Sequence, residues 1–217
     1  MKYGLIGASG RLGKEVISLF EEYKNELVFT FDLSGESFEK TPEILIDCSL
    51  PVVFEESVRF VNQFKVPFVI ATTGLTDENF KTLKNLANKK PVVQSYNFSL
   101  GIQILLQLTK EANAKLPDWD VEISETHHRF KKDKPSGTAK MLEEIFKDKK
   151  VNSSSFRLGN VPGDHSVSFA SLGEVLSINH RALSRRTFAE GILNSAVFAL
   201  KKNKGFYSFT DVVFGNE

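Results

Sequence analysis

The sequence has only one cysteine, Cys48, so it cannot form an intramolecular disulfide. A lone thiol in an apolar run is compatible with a reducing compartment, and we interpret it as a small core residue. The sequence also lacks an excess of charge of one sign, because its 28 lysines and arginines and 27 aspartates and glutamates leave a net charge of +1. No global electrostatic field therefore points to a nucleic-acid or membrane partner.

Long apolar runs are also absent. No run approaches the ~18 residues that a membrane span needs, and no signal-peptide pattern precedes the first predicted strand. We therefore expect a cytoplasmic protein. The chain has no repeats and no low-complexity linker, and its 217 residues permit one large domain or two small ones.

Strands and helices alternate over the first hundred residues, which predicts a doubly wound parallel sheet. The predicted strands are Lys2–Ile6, Leu27–Phe31, Ile44–Cys48, Pro67–Ala71 and Pro91–Gln94. The predicted helices are Lys14–Phe20, Pro51–Phe64 and Asp77–Asn88. Ligands of such sheets bind beyond the carboxyl ends of the strands.

The turn after the first strand carries a dinucleotide-binding pattern. Gly7, Gly10 and Gly13 form G-x-x-G-x-x-G between a strand and a helix, where backbone can approach a pyrophosphate. Asp32 ends the second strand, where an acid accepts from the ribose hydroxyls of adenosine. The alternatives are a plain connecting turn and a strand-end acid. The cofactor-binding candidates here are Gly7, Ala8, Ser9, Gly10, Arg11, Leu12 and Asp32.

One charged loop dominates the rest of the chain. The segment 125–138 holds two adjacent histidines, four cations, two acids and a Pro-Ser-Gly-Thr turn. Ser136 can cap the helix predicted for Ala139–Phe146, and the N–H groups of Gly137 and Thr138 would lie at its N-terminus, where anions bind. Histidine exchanges protons near neutral pH. The simplest alternative is a solvated charged loop with two surface histidines.

This loop resembles the signature of the 4-hydroxy-tetrahydrodipicolinate reductase family, also called dihydrodipicolinate reductase, and the resemblance runs over essentially the whole chain. It implies a Rossmann-type doubly wound parallel sheet with a second α+β domain that carries a mostly open sheet. It also implies NADH- or NADPH-dependent reduction of 4-hydroxy-tetrahydrodipicolinate, a cyclic imine dicarboxylate, with loss of water, on the diaminopimelate route to lysine. The family is typically homotetrameric through the second domain's sheet, so we expect a homotetramer.

The resemblance also implies roles for single residues. His127 matches the family's proton-transfer histidine and Lys131 a second catalytic cation often assigned as donor, so the identity of the donor stays open. The substrate-binding candidates are His128, Ser136, Gly137 and Thr138. The segments that match the family's cofactor contacts at the ends of the fourth and fifth strands are Ala71, Thr72, Thr73, Ser95, Tyr96, Asn97 and Phe98. Ala71 replaces a glycine that is common there.

The character of the chain changes after residue 98. The remaining predicted elements are a helix at Ile102–Leu116, strands at Trp119–Glu125 and Ser155–Gly159, a hairpin at Ser166–Leu172 and Glu174–His180, a helix at Thr187–Lys201 and a strand or turn at Thr210–Phe214. We assign 1–98 with 188–217 to a dinucleotide-binding domain, and 99–187 to a substrate-binding and oligomerisation domain.

Several alternatives bear on function. A metal site at the paired histidines is a weak prediction because no third ligand stands at useful spacing, so no metal is expected. His165 and His180 are interpreted as structural, with contact to the active site as the alternative for each. A different oxidoreductase would share the glycine turn but not the histidine loop, and a dinucleotide sensor would need no proton donor. We expect NADH to be preferred, since Asp32 repels a 2′-phosphate, although Arg11 could overturn this.

Overall fold

The computed structural model describes residues 1–33 and 35–215, and the chain divides into two compact units. The first unit comprises Met1–Ser99 and Arg185–Glu217, and the second comprises Leu100–Ser184. The boundaries predicted from the sequence were 98 and 188. Within the described residues, no helix is long and apolar enough to cross a membrane.

The described strands are β1 (Lys2–Ile6), β2 (Glu26–Asp32), β3 (Gly35–Phe38), β4 (Ile44–Asp47), β5 (Phe68–Ile70), β6 (Pro91–Gln94), β7 (Asp120–His127), β8 (Asn152–Arg157), β9 (Asp164–Ala170), β10 (Val175–Arg181) and β11 (Gly205–Ser208). The described α-helices are α1 (Arg11–Glu22), α2 (Phe54–Phe64), α3 (Asp77–Ala87), α4 (Leu100–Lys115), α5 (Gly137–Glu143), α6 (Arg186–Leu200) and α7 (Phe209–Phe214). Two short 3-10 helices, Pro51–Val53 and Glu144–Phe146, adjoin α2 and α5.

The first unit is built on a seven-stranded sheet in the order β11-β6-β5-β4-β1-β2-β3. All neighbours are parallel except β2 and β3. Side chains of α1 and α6 pack in one apolar cluster, and those of α2 and α3 in another, so helices cover both faces. The central strand β4 is fully buried and therefore apolar at three of its four positions. The predicted doubly wound sheet is confirmed.

Two details of this unit differ from the sequence-based prediction. The segment Thr210–Phe214 is helical within α7, so the predicted terminal strand or turn is wrong, and the last strand is β11. Ser208 accepts from the backbone of Asp211 while the Asp211 carboxylate accepts from that of Ser208, and this capping box starts the helix. The edge strand β3 was not predicted, because all four of its residues are exposed.

The second unit is a four-stranded sheet in the order β10-β9-β7-β8, in which only β7 and β8 run parallel. The predicted hairpin is confirmed as β9 and β10. Residues of α4, α5 and the inner sheet face form one apolar core. Alternate residues of β7 are buried, so Glu125 and His127 lie on the same face as Val121 and Ile123. The fold thus places a carboxylate and an imidazole at the end of the core.

Candidate active site

The glycine loop after β1 admits no side chains at two positions. Gly7 has φ +83°, and a Cβ there would lie 2.9 Å from the carbonyl oxygen of Cys48. A Cβ at Gly13 would lie 2.2 Å from the Gly7 carbonyl oxygen. The N-cap of α1 is Gly10, and the first turn of the helix has no acidic residue. The loop therefore leaves a bare helix N-terminus that fits a pyrophosphate.

Asp32 stands beside this loop at the end of β2. Its Oδ2 accepts from the backbone N–H of Ser9 at 3.1 Å, which fixes the carboxylate next to the glycines. Leu33, which follows, is fully exposed. The structure thus brings the loop and the candidate ribose-binding acid together, although they are 23 positions apart in sequence.

A buried carboxylate that sequence reasoning missed holds the ends of β4 and β5 together. Asp47 Oδ1 accepts from Thr72 Oγ1 and from the Ser49 N–H, both at 2.8 Å, and Oδ2 accepts from Ser57 Oγ at 2.8 Å. Burial raises the pKa of Asp47, and these hydrogen bonds, which lower the pKa, only partly offset that effect. The candidate cofactor residue Thr72 therefore has a fixed hydroxyl. The sequence did carry a signal for this buried carboxylate, because Asp47 is the one acid in the apolar strand β4.

Four cofactor candidates, Ser95, Tyr96, Asn97 and Phe98, follow β6, whereas Ala71 and Thr73 follow β5. Ser95 Oγ donates to the Asn97 carbonyl at 2.8 Å, and Asn97 Oδ1 accepts from the Ser99 N–H at 2.8 Å, so this segment is internally braced. Phe98 is buried and its ring lies 5.3 Å from that of Phe209. Its side chain serves the core and leaves only backbone for a ligand.

In the second unit, the Nδ1 side of the His127 ring contacts a buried ion pair between Glu125 and Arg157. Its Nδ1 bonds to Glu125 Oε2, and both Glu125 oxygens accept from Arg157, with Nη1 and Nη2 each at 2.9 Å. The Glu125 side chain has no exposed surface and that of His127 is 10% exposed. Parallel pairing of β7 and β8 sets His127 opposite Arg157.

The pKa shifts define the charges in this cluster. Burial raises the pKa of Glu125, but hydrogen bonds from Arg157, Ser155 and His127 outweigh it and lower the pKa to about 2. The carboxylate is therefore ionised and can only accept, so Nδ1 of His127 carries a proton. Burial lowers the pKa of His127 in spite of Glu125, which raises it, and the charges of Lys131 and Arg157 lower it further. His127 is thus neutral at pH 7 before ligand binds.

Lys131 lies in the loop that follows His127. Its Nζ is 2.8 Å from Asp133 Oδ1, and its side chain is 17% exposed. Arg157 donates from Nε to the Lys131 carbonyl at 3.2 Å and from Nη2 to the Asp133 carbonyl at 2.5 Å. The loop backbone is therefore tied to the same guanidinium that binds Glu125.

The predicted anion-binding turn lies next to this cluster. Ser136 is the N-cap of α5, and its Oγ accepts from the Ala139 N–H at 3.2 Å. The Ser136 N–H donates to Glu125 Oε1 at 3.3 Å. Thr138 is buried and Gly137 partly buried. His128 follows the last residue of β7 and is half-buried. The turn thus contacts the His127 cluster through Ser136, and His128 is next to His127 in the chain.

His165, interpreted from sequence as structural, belongs to the same cluster. Its ring centroid lies 5.1 Å from that of His127, edge to face, and its Nε2 is 3.3 Å from Ser136 Oγ. Burial, with the neighbouring His127, lowers its pKa to about 3, so it is neutral. Its position beyond a Pro-Gly-Asp turn gave no signal, because only the pairing of β9 with β7 brings it here. No group of metal-ligating side chains occurs in the described residues.

Comparisons with known proteins agree over the whole chain. Family models described as "Dihydrodipicolinate reductase, N-terminus" and "Dihydrodipicolinate reductase, C-terminus" match residues 1–98 and 101–213. The 4-hydroxy-tetrahydrodipicolinate reductase of Thermosipho africanus is 44% identical over 213 residues, covering 98% of both chains. That of Zymomonas mobilis is 37% identical over 246 residues, covering 98% of this chain and 97% of its own.

A solved structure resembles this fold. The dipicolinate-bound dihydrodipicolinate reductase from Paenisporosarcina sp. TG-14 superposes with a TM-score of 0.76 at 23% identity. The match covers 97% of this chain and 98% of that one. The likeness extends through both units of the fold.

Proposed function

Because the chain belongs to the dihydrodipicolinate reductase family, we propose that it reduces 4-hydroxy-tetrahydrodipicolinate to tetrahydrodipicolinate, with loss of water, on the diaminopimelate route to lysine. It is an oxidoreductase that uses a pyridine nucleotide. The observation that carries the proposal is the buried His127–Glu125–Arg157 cluster beside the capped start of α5. The cluster offers a proton-exchanging imidazole next to an anion-binding turn.

The first unit supplies the cofactor site in this proposal. A bound reduced nicotinamide dinucleotide supplies the hydride. The glycine loop would hold its pyrophosphate at the N-terminus of α1, and Asp32 would accept from its adenosine ribose. Beyond the strand ends, the cofactor would also contact Thr72, whose hydroxyl is fixed by Asp47, and the braced segment after β6.

The second unit supplies the proton. Loss of the hydroxyl and a neighbouring ring hydrogen as water gives the substrate ring a conjugated C=N–C=C unit, and hydride addition to that unit leaves an enamine-like anion that must be protonated. Glu125 occupies Nδ1 of His127, so Nε2 is the nitrogen that exchanges a proton with substrate. A bound dicarboxylate favours the charged imidazole, so substrate binding and proton uptake by His127 are linked. We assign donation to His127, and to Lys131 the neutralisation of developing charge.

The start of α5 supplies the carboxylate site. The N–H groups of Gly137 and Thr138, with the Ser136 and Thr138 hydroxyls, would bind one carboxylate. Lys131 and His128 would bind the second. Such a site fits a flat ring with carboxylates on both sides of its nitrogen.

NADH is the preferred cofactor in this proposal, with NADPH tolerated. The acidic side chain of Asp32, held by Ser9, would repel a 2′-phosphate, and the following Leu33 supplies no cation. Arg11 begins α1. Burial lowers the pKa of Arg185, and the nearby positive charge of Arg11 lowers it further. These two guanidinium groups are the cations through which the first unit could accept NADPH.

A homotetramer assembled through the second sheet is part of the proposal. Directly paired residues share a face of the sheet, and the face opposite the core carries the charged side chains of Asp120, Glu122, Asp164 and Arg181 beside small uncharged or apolar ones. The uncharged side chains include Ser124, Thr126, Ser154, Phe156, Ser166, Ser168, Val175 and Ser177. Phe156 is 55% exposed and Val175 67%. Light scattering should give the mass of four chains, and Phe156→Glu should lower it; a monomeric wild type would contradict the assembly.

The decisive experiment for the activity is consumption of NADH with enzymatically generated substrate. We expect consumption that depends on the imine and is absent with amino acids or sugars. Turnover of an amino acid or a sugar instead would favour another dehydrogenase, and NADH binding without any turnover would favour a sensor. A cytoplasmic location is proposed with this biosynthetic role, and fractionation of expressing cells tests it.

A further inference from the structure

We infer that Arg157 is a positioning residue that holds both His127 and Lys131 in place through a single guanidinium group. The inference rests on the proposed function, because it presumes that these two side chains act on substrate. Arg157 ends β8, and its side chain is only 9% exposed. No motif in the sequence singled it out.

One side of the guanidinium fixes the imidazole. Nη1 and Nη2 donate to the two oxygens of Glu125, both at 2.9 Å, in the parallel fork that arginine forms with carboxylates. Glu125 then has one fixed orientation, and it binds Nδ1 of His127. The direction of Nε2 therefore depends on Arg157 through one intermediate group.

The other side of the guanidinium fixes the loop that carries Lys131. Nε donates to the Lys131 carbonyl at 3.2 Å, and Nη2 donates to the Asp133 carbonyl at 2.5 Å. The Asp133 carboxylate lies 2.8 Å from Lys131 Nζ, so the backbone and the side chain of the lysine are both constrained. Nη1 also donates to the Phe156 carbonyl at 2.6 Å.

These contacts use all five N–H donors of the guanidinium. A lysine at this position would keep the positive charge but offers three donors from one nitrogen. It could not span the Glu125 oxygens and two loop carbonyls together. Arg157→Lys therefore separates geometry from charge, and this makes it the sharpest variant.

The first experiment compares Arg157→Lys with Arg181→Lys in the reductase assay. Arg181 is the matched control, because it also pairs with a carboxylate, that of Asp164, but is 74% exposed on β10. We expect Arg157→Lys to lower kcat by about 100-fold, as a misplaced donor does, with the KM for NADH unchanged. The control should stay within about twofold of wild type. A kcat for Arg157→Lys within about threefold of wild type would overturn the inference.

A second measurement does not depend on turnover. In the unliganded protein, NMR should detect the Nδ1–H of His127 as a single hydrogen-bonded proton. Arg157→Lys should weaken that signal or mix the two tautomers of the imidazole, while Arg181→Lys should leave it intact. An unchanged His127 signal would contradict the inference. If wild type shows the signal but does not reduce the imine, then the proposed function fails and the positioning role is still judged by this spectrum.

A third variant serves if Arg157→Lys does not fold. The double variant Glu125→Gln/Arg157→Met removes both buried charges, a change that folded proteins often tolerate. It leaves the carbonyls of Lys131 and Asp133 without the guanidinium. We expect a loss of kcat at least as large as that of His127→Gln, and activity near wild type would overturn the inference.

Discussion

At the scale of single residues, the protonation of His127 decides what the site can do. Its imidazole is buried, bonded to an ionised carboxylate through Nδ1, and flanked by Lys131, Arg157 and His165. The two cations and the burial oppose the addition of a second proton to the imidazole. In the proposed mechanism a dianionic ligand reverses this balance, so that His127 acts as an acid when substrate is bound.

Replacement of His127 by glutamine should remove the proton donor. We expect His127→Gln to lower kcat by about 10²- to 10⁴-fold, the usual range for loss of a general acid. The Kd for NADH should barely change, because the cofactor residues belong to the first unit. His180→Gln is the matched control, since it changes a histidine of β10 that has no proposed role. Values of kcat within about threefold of wild type would remove His127 as donor.

The pH dependence tests the same residue without changing it. The pKa of His127 is lowered, so the protonated fraction of the free protein declines as pH rises, starting below about 6.5. We expect kcat/KM for the imine to fall about tenfold per pH unit above that point. The profile of His127→Gln should lack this descent. A flat wild-type profile between about pH 6 and 8.5 would contradict His127 as the donor.

Cofactor preference is also a property of one residue. We expect a higher kcat/KM with NADH than with NADPH, because the Asp32 carboxylate, oriented by Ser9, repels a 2′-phosphate. Asp32→Ser should narrow the difference by favouring NADPH. Steady-state kinetics with both cofactors measures it. A clear wild-type preference for NADPH would show that Arg11 and Arg185 prevail over Asp32.

At the scale of elements, the parallel pairing of β7 and β8 builds the site. It brings Arg157 to Glu125 across 32 positions of sequence, and the antiparallel pairing of β9 adds His165. Helix α5 then starts where the loop from β7 ends, with Ser136 bonded to both Glu125 and the helix. Three strands and one helix thus position the proposed carboxylate site and the proposed proton donor.

The start of α5 should distinguish one carboxylate from two. Pyridine-2,6-dicarboxylate has the proposed shape but resists reduction, because hydride addition would destroy its aromaticity, and we expect it to compete with the imine. Pyridine-2-carboxylate should bind about 1.5–3 kcal/mol more weakly, the value of a charge-assisted contact. Thr138→Val should narrow this difference, since one carboxylate loses a hydroxyl partner. Inhibition constants measure it, and equal inhibition by both acids would contradict the two-carboxylate site.

Prediction from sequence succeeded where local patterns determine the element. Apolar runs of strand length gave β1, β2 and β6, and Ser136 indicated the start of α5. It failed at α7, because the run Val212-Val213-Phe214 favours a strand locally while the capping box at Ser208 selects a helix. The spacing of Ser208 and Asp211 was therefore a local signal for the helix that the apolar run outweighed in the prediction.

The candidate site was predictable only along one segment of the chain. His127, Lys131 and the turn at Ser136 lie within ten positions and carry a signature. Glu125 lies in the same segment, but its role depends on Arg157, and that of His165 depends on strand register. Contacts across a sheet depend on which strands pair and in which register, so the spacing of residues in the sequence does not predict them.

At the scale of the whole molecule, the proposed chemistry divides between the two units. The first carries the features suited to a dinucleotide, and the second carries the acid and the carboxylate site. Each unit has its own apolar core, so a variant of one site should leave the other site folded. Cofactor binding and substrate chemistry can therefore be tested separately.

The most direct test of the proposed reaction follows the transferred hydride into the product. The purified protein is incubated with 4-hydroxy-tetrahydrodipicolinate and NADH deuterated at the transferred position, and the product ring is analysed by mass spectrometry. We expect tetrahydrodipicolinate that carries one deuterium from the cofactor in its ring. Consumption of NADH without deuterium in the ring, or no consumption of NADH, would contradict the proposed reaction.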